Sequence, residues 1–331
     1  MKAAIAAVVA VVAIVAGLIW LARPKDSAPD PKAWDEKASA AFKPLVGDVP
    51  DLVQGAREWQ VGQRSTEDFT QQVNTAVTDF ERTRKQVDDL PPSPKNKTAG
   101  QLYAHSARLY EQVGRIYQVM VATEPGDVRT QLDLLARRVR ELGDRVFDRG
   151  HAALAPYLDE PQLPDVQVQL PEEVPLWPDE GLAAGPPLDA PRPPPAAPPP
   201  LRQQTRPQES ASAWATDVRT AGIPFSGELL SAMAPIVNSR TQTPLVGPGR
   251  DQLGELATRY VAAAELLRSK PDPKGQRDRS AVLRLGLLVD ADGARAAQVA
   301  TFLPGVPQSQ LIRLAVDIVH VGNNLVLEAK P

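Results

Sequence analysis

Residues 102–120 read L-Y-A-H-S-A-R-L-Y-E-Q-V-G-R-I-Y-Q-V-M. Leu102, Ser106, Leu109, Val113, Ile116 and Met120 recur at alternating steps of four and three. On an α-helix that spacing draws one stripe along one face. The stretch before it repeats the pattern in Phe69, Val73, Ala76, Phe80, Thr83, Val87 and Leu90, and the stretch after it in Val128, Leu132, Leu135, Val139, Leu142 and Val146. Three such stripes joined by short turns predict an antiparallel helical bundle.

The turns carry their own signals. Ser65-Thr66-Glu67-Asp68 resembles a capping box, with Asp68 in the position usually held by Glu or Gln. Pro91-Pro92-Ser93-Pro94 stops the helix that ends at Leu90, and Asp127 after Pro125-Gly126 is the expected N-cap of the next. Earlier, Trp34, Ala38, Ala41 and Leu45 begin a further stripe that resumes at Leu52, Ala56 and Trp59. Pro44 and Pro50 fall between these, so a kink or split is expected near Gly47-Asp48. The bundle is assigned to residues 26–155.

Upstream of the bundle, residues 3–22 contain no charge. Twenty helical residues span about 30 Å, the thickness of a bilayer's hydrocarbon core. Trp20 suits the interface and Arg23 and Lys25 suit headgroups. Residues 1–25 are therefore read as a single transmembrane anchor. A cleaved signal peptide is the rival, but its apolar core is shorter and a small-residue cleavage site is missing where one is needed. Lys2 lies before the run and Arg23, Lys25, Lys32 and Lys37 after it, a count that points the body toward the cytoplasm. A short tail ahead of a long apolar run and the Pro-rich segment downstream point outward, and the extracytoplasmic side of the cell membrane is the reading taken.

Downstream, helical periodicity stops at Pro156. From Asp159 to Glu180 every charge is acidic, and Leu170, Val174, Leu176 and Trp177 offer apolar anchors that can dock on a domain surface. Residues 185–200 are nearly all Pro, Ala and Gly, a composition that favours polyproline II and a spacer role. Residues 156–208 are assigned as an acidic, then Pro-rich, disordered linker.

Residues 209–331 form the last assigned domain. Helices are expected at residues 210–221, around Leu229, Leu230 and Met233, and from Asp251 through Leu253, Ala257, Tyr260, Ala264 and Leu267. The final fifty residues admit two readings. The β-branched run at residues 315–321 and the turn-like Gly322-Asn323-Asn324 favour a strand at 281–289, a helix capped by Asp290 and a terminal hairpin. Against that, Leu311, Ala315, Ile318, Gly322 and Leu325 keep helical spacing and favour two helices. The fold expected is mainly α, with a C-terminal α+β or all-α domain. An internal echo pairs Val73, Ala76, Val77 and Phe80 with Leu253, Leu256, Ala257 and Tyr260, and Pro92-Ser93-Pro94-Lys95 with Pro271-Asp272-Pro273-Lys274.

Chemistry-bearing patterns are sparse. Cysteine is absent, which removes disulfides and thiol catalysis. No G-x-S-x-G, S-x-x-K, H-E-x-x-H or P-loop occurs. His105, His151 and His320 lack carboxylate partners at metal-binding spacing. Asp290-Ala291-Asp292-Gly293 opens like a calcium loop but lacks its later ligands, so an N-cap is the simpler reading. Tyr103, Tyr110 and Tyr117 recur every seven residues beside the seam and are expected to flank the core with wet hydroxyls. Asp133, Arg137, Glu141 and Arg145 read as a solvated ladder, and the arginines Arg129, Arg138, Arg140 and Arg149 as part of a solvated face. Asn96-Lys97-Thr98 fits the glycosylation pattern, or places Thr98 as a helix cap. A net charge of −3 argues against nucleic acid as a partner. No catalytic, cofactor-binding or metal-binding residue is assigned. The expected function is that of a membrane-anchored envelope scaffold, with a protein or envelope-polymer partner and no enzymatic activity. The alternative is a tethered small-ligand or lipid-binding module in the C-terminal domain.

Overall fold

In the computed structural model, residues 30–91, 95–158, 248–269 and 277–329 are described. All the regular structure among them is helical. The helices are α1 (Pro31–Phe42), α2 (Leu45–Gln60), α3 (Thr66–Asp88), α4 (Lys97–Val121), α5 (Asp127–Leu154), α6 (Pro248–Ser269), α7 (Arg277–Ala300) and α8 (Gly305–Glu328). A single 3₁₀ turn, Ala155–Tyr157, follows α5.

The three expected stripes are the core. Phe69, Val73, Ala76, Phe80 and Val87 of α3, Leu102, Leu109, Val113, Ile116 and Met120 of α4, and Leu132, Leu135, Val139, Leu142 and Val146 of α5 are all buried. Each helix runs antiparallel to the last. Arg115 meets Glu81 at 2.8 Å across α3 and α4, and Ser106 Oγ donates to the Gly143 carbonyl at 2.9 Å across α4 and α5. A second stripe, one step past the seam, explains how closely the helices approach. Gly100, Ala107 and Gly114 on α4, and Ala136, Gly143 and Gly150 on α5, also recur every seven residues. A Cβ on Gly100 would touch Trp34, and one on Gly114 would collide with Val77 and Phe80. Gly143 and Gly150 make room for the rings of Tyr110 and Tyr103. Large side chains on one helix thus fill the space left by small ones on the next.

Several local expectations are corrected. The first helix does not break at Gly47-Asp48; α1 ends at Phe42 and α2 starts at Leu45, with Pro44 at the junction. Pro44 has no N–H to donate and its ring crowds the carbonyl one turn earlier, so the ladder stops there. Pro50 sits inside α2. Asp127 and Thr98 are not N-caps: α5 and α4 begin at Asp127 and Lys97, so both residues lie in a first turn. Ser65 does cap α3, accepting from the Asp68 N–H at 3.0 Å while its hydroxyl donates to the Asp68 carboxylate at 2.7 Å. Gly62, with φ of +75°, closes α2: its N–H reaches the Trp59 carbonyl and that of Gln63 reaches Glu58.

The expected C-terminal sheet is not formed. Residues 281–289 lie within α7 and residues 315–328 within α8, so the all-helical alternative holds. Asp290 is in the middle of α7 and caps nothing. Gly322-Asn323-Asn324 is a turn of helix because α7 and α8 cross there at close range. A Cβ on Gly322 would lie 2.8 Å from the Gly286 carbonyl oxygen, and one on Gly293 would lie 3.1 Å from the Val319 nitrogen. Ile312, Ile318, Val319, Val321 and Val326 of α8 are buried by this packing, which overrides their strand preference.

The C-terminal helices do not stand apart. Helix α7 packs on α5 and α8 on α4, while α6 covers the far side of α7. The apolar side chains of all eight helices join in one core. The described chain runs past α5 to Leu158 and resumes on the same body with α6 at Pro248. The anchor expected at residues 3–22, the linker expected beyond Leu158, and the helices expected at residues 210–233 lie outside the described residues, as do the two Pro-x-Pro turns of the internal echo. The eight echoed apolar positions on α3 and α6 are all buried. No helix among the described residues is long and apolar enough to cross a membrane.

Candidate functional site

One end of the body gathers several termini. Trp34 at the start of α1 stacks on Tyr103 near the start of α4, ring centroids 5.8 Å apart. Tyr103 in turn stacks on Phe147 of α5, and Phe42 of α1 packs edge-on to Phe147 at 4.7 Å. The end of α8 joins them, where His105 Nε2 and Glu328 Oε1 lie 2.9 Å apart. Between α4, α5, α7 and α8 a cleft opens, with about 170 Å³ of free space. Leu102, Ala152, Ala153, Val282 and Ala329 give it apolar walls, and Thr98, Arg149, Arg279 and Glu328 supply its polar groups. Pockets for drug-sized ligands run from about 300 Å³ upward, so the cleft fits one side chain or a ligand fragment.

The tyrosines that were expected to keep wet hydroxyls are fully inside the core. Tyr110 donates to Asp144, and Tyr117 donates to Asp133 at 3.3 Å. Two heptad-spaced rings on α4 thus meet two carboxylates on the antiparallel α5. Burial pushes the Tyr110 and Tyr117 hydroxyls far above their ordinary range, with the facing Asp charges as the second cause. Burial also raises the Asp144 carboxyl, against the lowering effect of Tyr110 and Arg140. The supposed solvated ladder is partly internal: Asp133 is buried and binds Arg137 as well as Tyr117.

A second polar seam joins the halves of the chain. Arg138 Nε meets Asp292 Oδ1 at 2.8 Å, with the two side chains 1% and 0% exposed. This pair corrects the solvated reading of Arg138, and residues Asp290–Gly293, which open like a calcium loop, are helical and buried. Asp290 is 1% exposed, and burial drives its carboxyl well above the usual range. Its Oδ1 has no hydrogen-bond partner among the described residues. At the Trp34 end of the body Asp35 is buried too, and desolvation, helped by Glu36, raises it to about 6.

The three histidines are far apart in role. His105 faces Glu328, His151 is buried with its pKa lowered by desolvation, and His320 is exposed. No set of three ligand-type residues close enough to hold a metal occurs among the described residues. Asn96 of the glycosylation pattern is buried, so a glycan cannot attach in the folded state. Arg129 packs over Trp59, 4.2 Å from the ring centroid, and donates to the Thr123 carbonyl. Sequence reasoning missed the Arg138–Asp292 pair, the His105–Glu328 contact and the cleft. The heptad-spaced Ala136, Gly143 and Gly150 were the signal that the rings of α4 pack into α5.

Compared with family models, with curated proteins and with solved structures, the chain matches none of them.

Proposed function

We propose that this protein is a membrane-anchored scaffold of the cell envelope, acting by interaction and not by catalysis. One observation carries the reading. Helices α7 and α8 lie on α5 and α4, so residues 159–247 begin and end on a single helical body. In this reading the body is a platform, and the acidic, Pro-rich segment is presented from it as a binding element for a protein or envelope polymer. The charge-free run at residues 3–22 is the anchor. Helix α1 starts at Pro31, and the eight residues after Ala22 extend at most about 28 Å, so the Trp34 end of the body faces the bilayer. The cleft at that end favours a second reading, a tethered module for a small ligand or lipid fragment.

The test has two arms. A phosphatase active only outside the cytoplasm, fused after Pro331, reports the side of the body, with a cytoplasm-only fluorescent reporter as its mirror. Phosphatase activity in the membrane fraction is the expected result, and fluorescence instead removes the envelope assignment. Partner capture by the full chain is then compared with capture by a chain lacking residues 159–208. Equal capture by both rejects the presented segment as the binding element.

A further inference from the structure

The cleft lies where the chain leaves the helical body. Its wall includes Ala152 and Ala153 in the last turn of α5, and the chain passes through the turn at Ala155–Tyr157 to Leu158 five residues later. Two large apolar side chains near the rim are solvent-exposed, Tyr157 at 49% and Leu327 at 55%. The cleft's cations are Arg149 from α5 and Arg279 from α7. Among its described lining residues the acid is Glu328, 2.9 Å from His105. An apolar group of modest size flanked by negative charge suits such a lining. An engineered apolar cavity of about 150 Å³ holds one benzene, which sets the scale for a single inserted side chain.

The next stretch of this same chain has that chemistry. Residues 159–180 carry Asp159, Glu160, Asp165, Glu172, Glu173, Asp179 and Glu180, and no Lys, Arg or His. Trp177 is the aromatic residue of that stretch, and it follows Leu176 between the two acidic pairs. From Leu158 the tether to Trp177 extends at most about 65 Å, enough to return to the cleft from any direction. A tether of this kind holds its end at an effective concentration on the order of millimolar, so a weak contact suffices for occupancy.

We propose that the cleft is an intramolecular docking site for residues 172–180, with Trp177 as the inserted anchor and Arg149 and Arg279 receiving the acids on either side. A consequence is competition: a partner that takes the acidic segment must first draw it from the cleft. The inference goes beyond the scaffold reading and does not depend on the membrane anchor.

The chain has no cysteine, so introduced pairs report cleanly. Thr98→Cys with Pro178→Cys places one thiol on the cleft and one beside the anchor. The full chain, in detergent micelles, is oxidised in a glutathione buffer, and the intramolecular disulfide is followed as a gel shift. Adding Trp177→Ala, or Glu172→Lys with Glu173→Lys, should slow bond formation about tenfold, the effect of a modest binding energy. Those changes lie outside the described helices. Arg279→Glu, at an exposed position, should slow it as well. Unchanged rates in all of these variants overturn the proposal, since random tether collisions would then explain the bond. Disulfide-linked dimers in place of the intramolecular bond also overturn it, and point to a second copy as the occupant.

Discussion

Removing one partner of the Arg138–Asp292 pair tests whether the two halves of the chain are one folded unit. At 2.8 Å the attraction between unit charges is about 6 kcal/mol at an effective dielectric of about 20. Desolvating two ions costs several kcal/mol each, so the intact pair is worth little net. The single variant Asp292→Ala behaves differently, because it takes a carboxylate away from a guanidinium that is 1% exposed. A loss of about 3–5 kcal/mol is expected. That is a large part of the 5–15 kcal/mol typical of a folded domain. With a urea slope of about 3 kcal/mol per molar, the midpoint falls by about 1–2 M. The double variant Arg138→Met/Asp292→Leu removes both charges and should recover most of that loss. The assay is urea unfolding of the full chain followed by tryptophan fluorescence, since Trp34 and Trp59 report burial in the N-terminal helices. A midpoint in Asp292→Ala within about 0.3 M of the parent, or a double variant no better than the single, would refute the idea of a shared, buried, charge-paired interface.

Three further outcomes follow from single sites. Gly322→Ala would set a Cβ 2.3 Å from Asp290 Oδ1 and 2.8 Å from the Gly286 carbonyl, so α7 and α8 must part; a loss of about 1–3 kcal/mol in thermal or urea unfolding is expected, and a neutral result would mean the helices are not so close. Asp35 is raised from 3.8 to about 6 by burial, so the folded state holds a proton that the unfolded state has released, and stability falls as pH rises from about 4 to about 6. Asp35→Asn should therefore match the parent near pH 4 and exceed it at pH 8 by at most about 3 kcal/mol, and a pH-independent difference would contradict the assignment. Ser65→Ala removes the hydrogen bond from the Asp68 N–H and should cost about 1 kcal/mol in urea unfolding, with Ser65→Asn retaining most of it.

Much of the helical architecture could be read in the chain. The seams of α3, α4 and α5 are set by local periodicity, because an amphipathic helix must bury its own apolar stripe wherever it finally packs. Ser65 as a cap was legible for the same reason: the bond closes within four residues. Residues 315–328 were not legible, since β-branching and a Gly-Asn-Asn triplet pointed one way and the 4, 3 spacing the other. The contact between α7 and α8 decides it, through glycines whose missing Cβ atoms let two backbones approach. The fate of the tyrosines was likewise tertiary. Their heptad spacing is on the page, but whether the hydroxyls meet water or Asp133 and Asp144 depends on which face of α5 arrives opposite them.

Periodicity, capping residues and composition by themselves determined that this protein has long helices, where α3 and α5 stop, and that the chain carries a charge-free run and an acidic, Pro-rich stretch. Only the tertiary structure decided that the first and last helices share one core, that Arg138 finds Asp292 across 154 positions of chain, and that a cleft forms beside the exit of α5. The physical reason is range. Helix formation and capping act within about four residues, whereas the choice of packing partner depends on surfaces that come together only when the chain has folded.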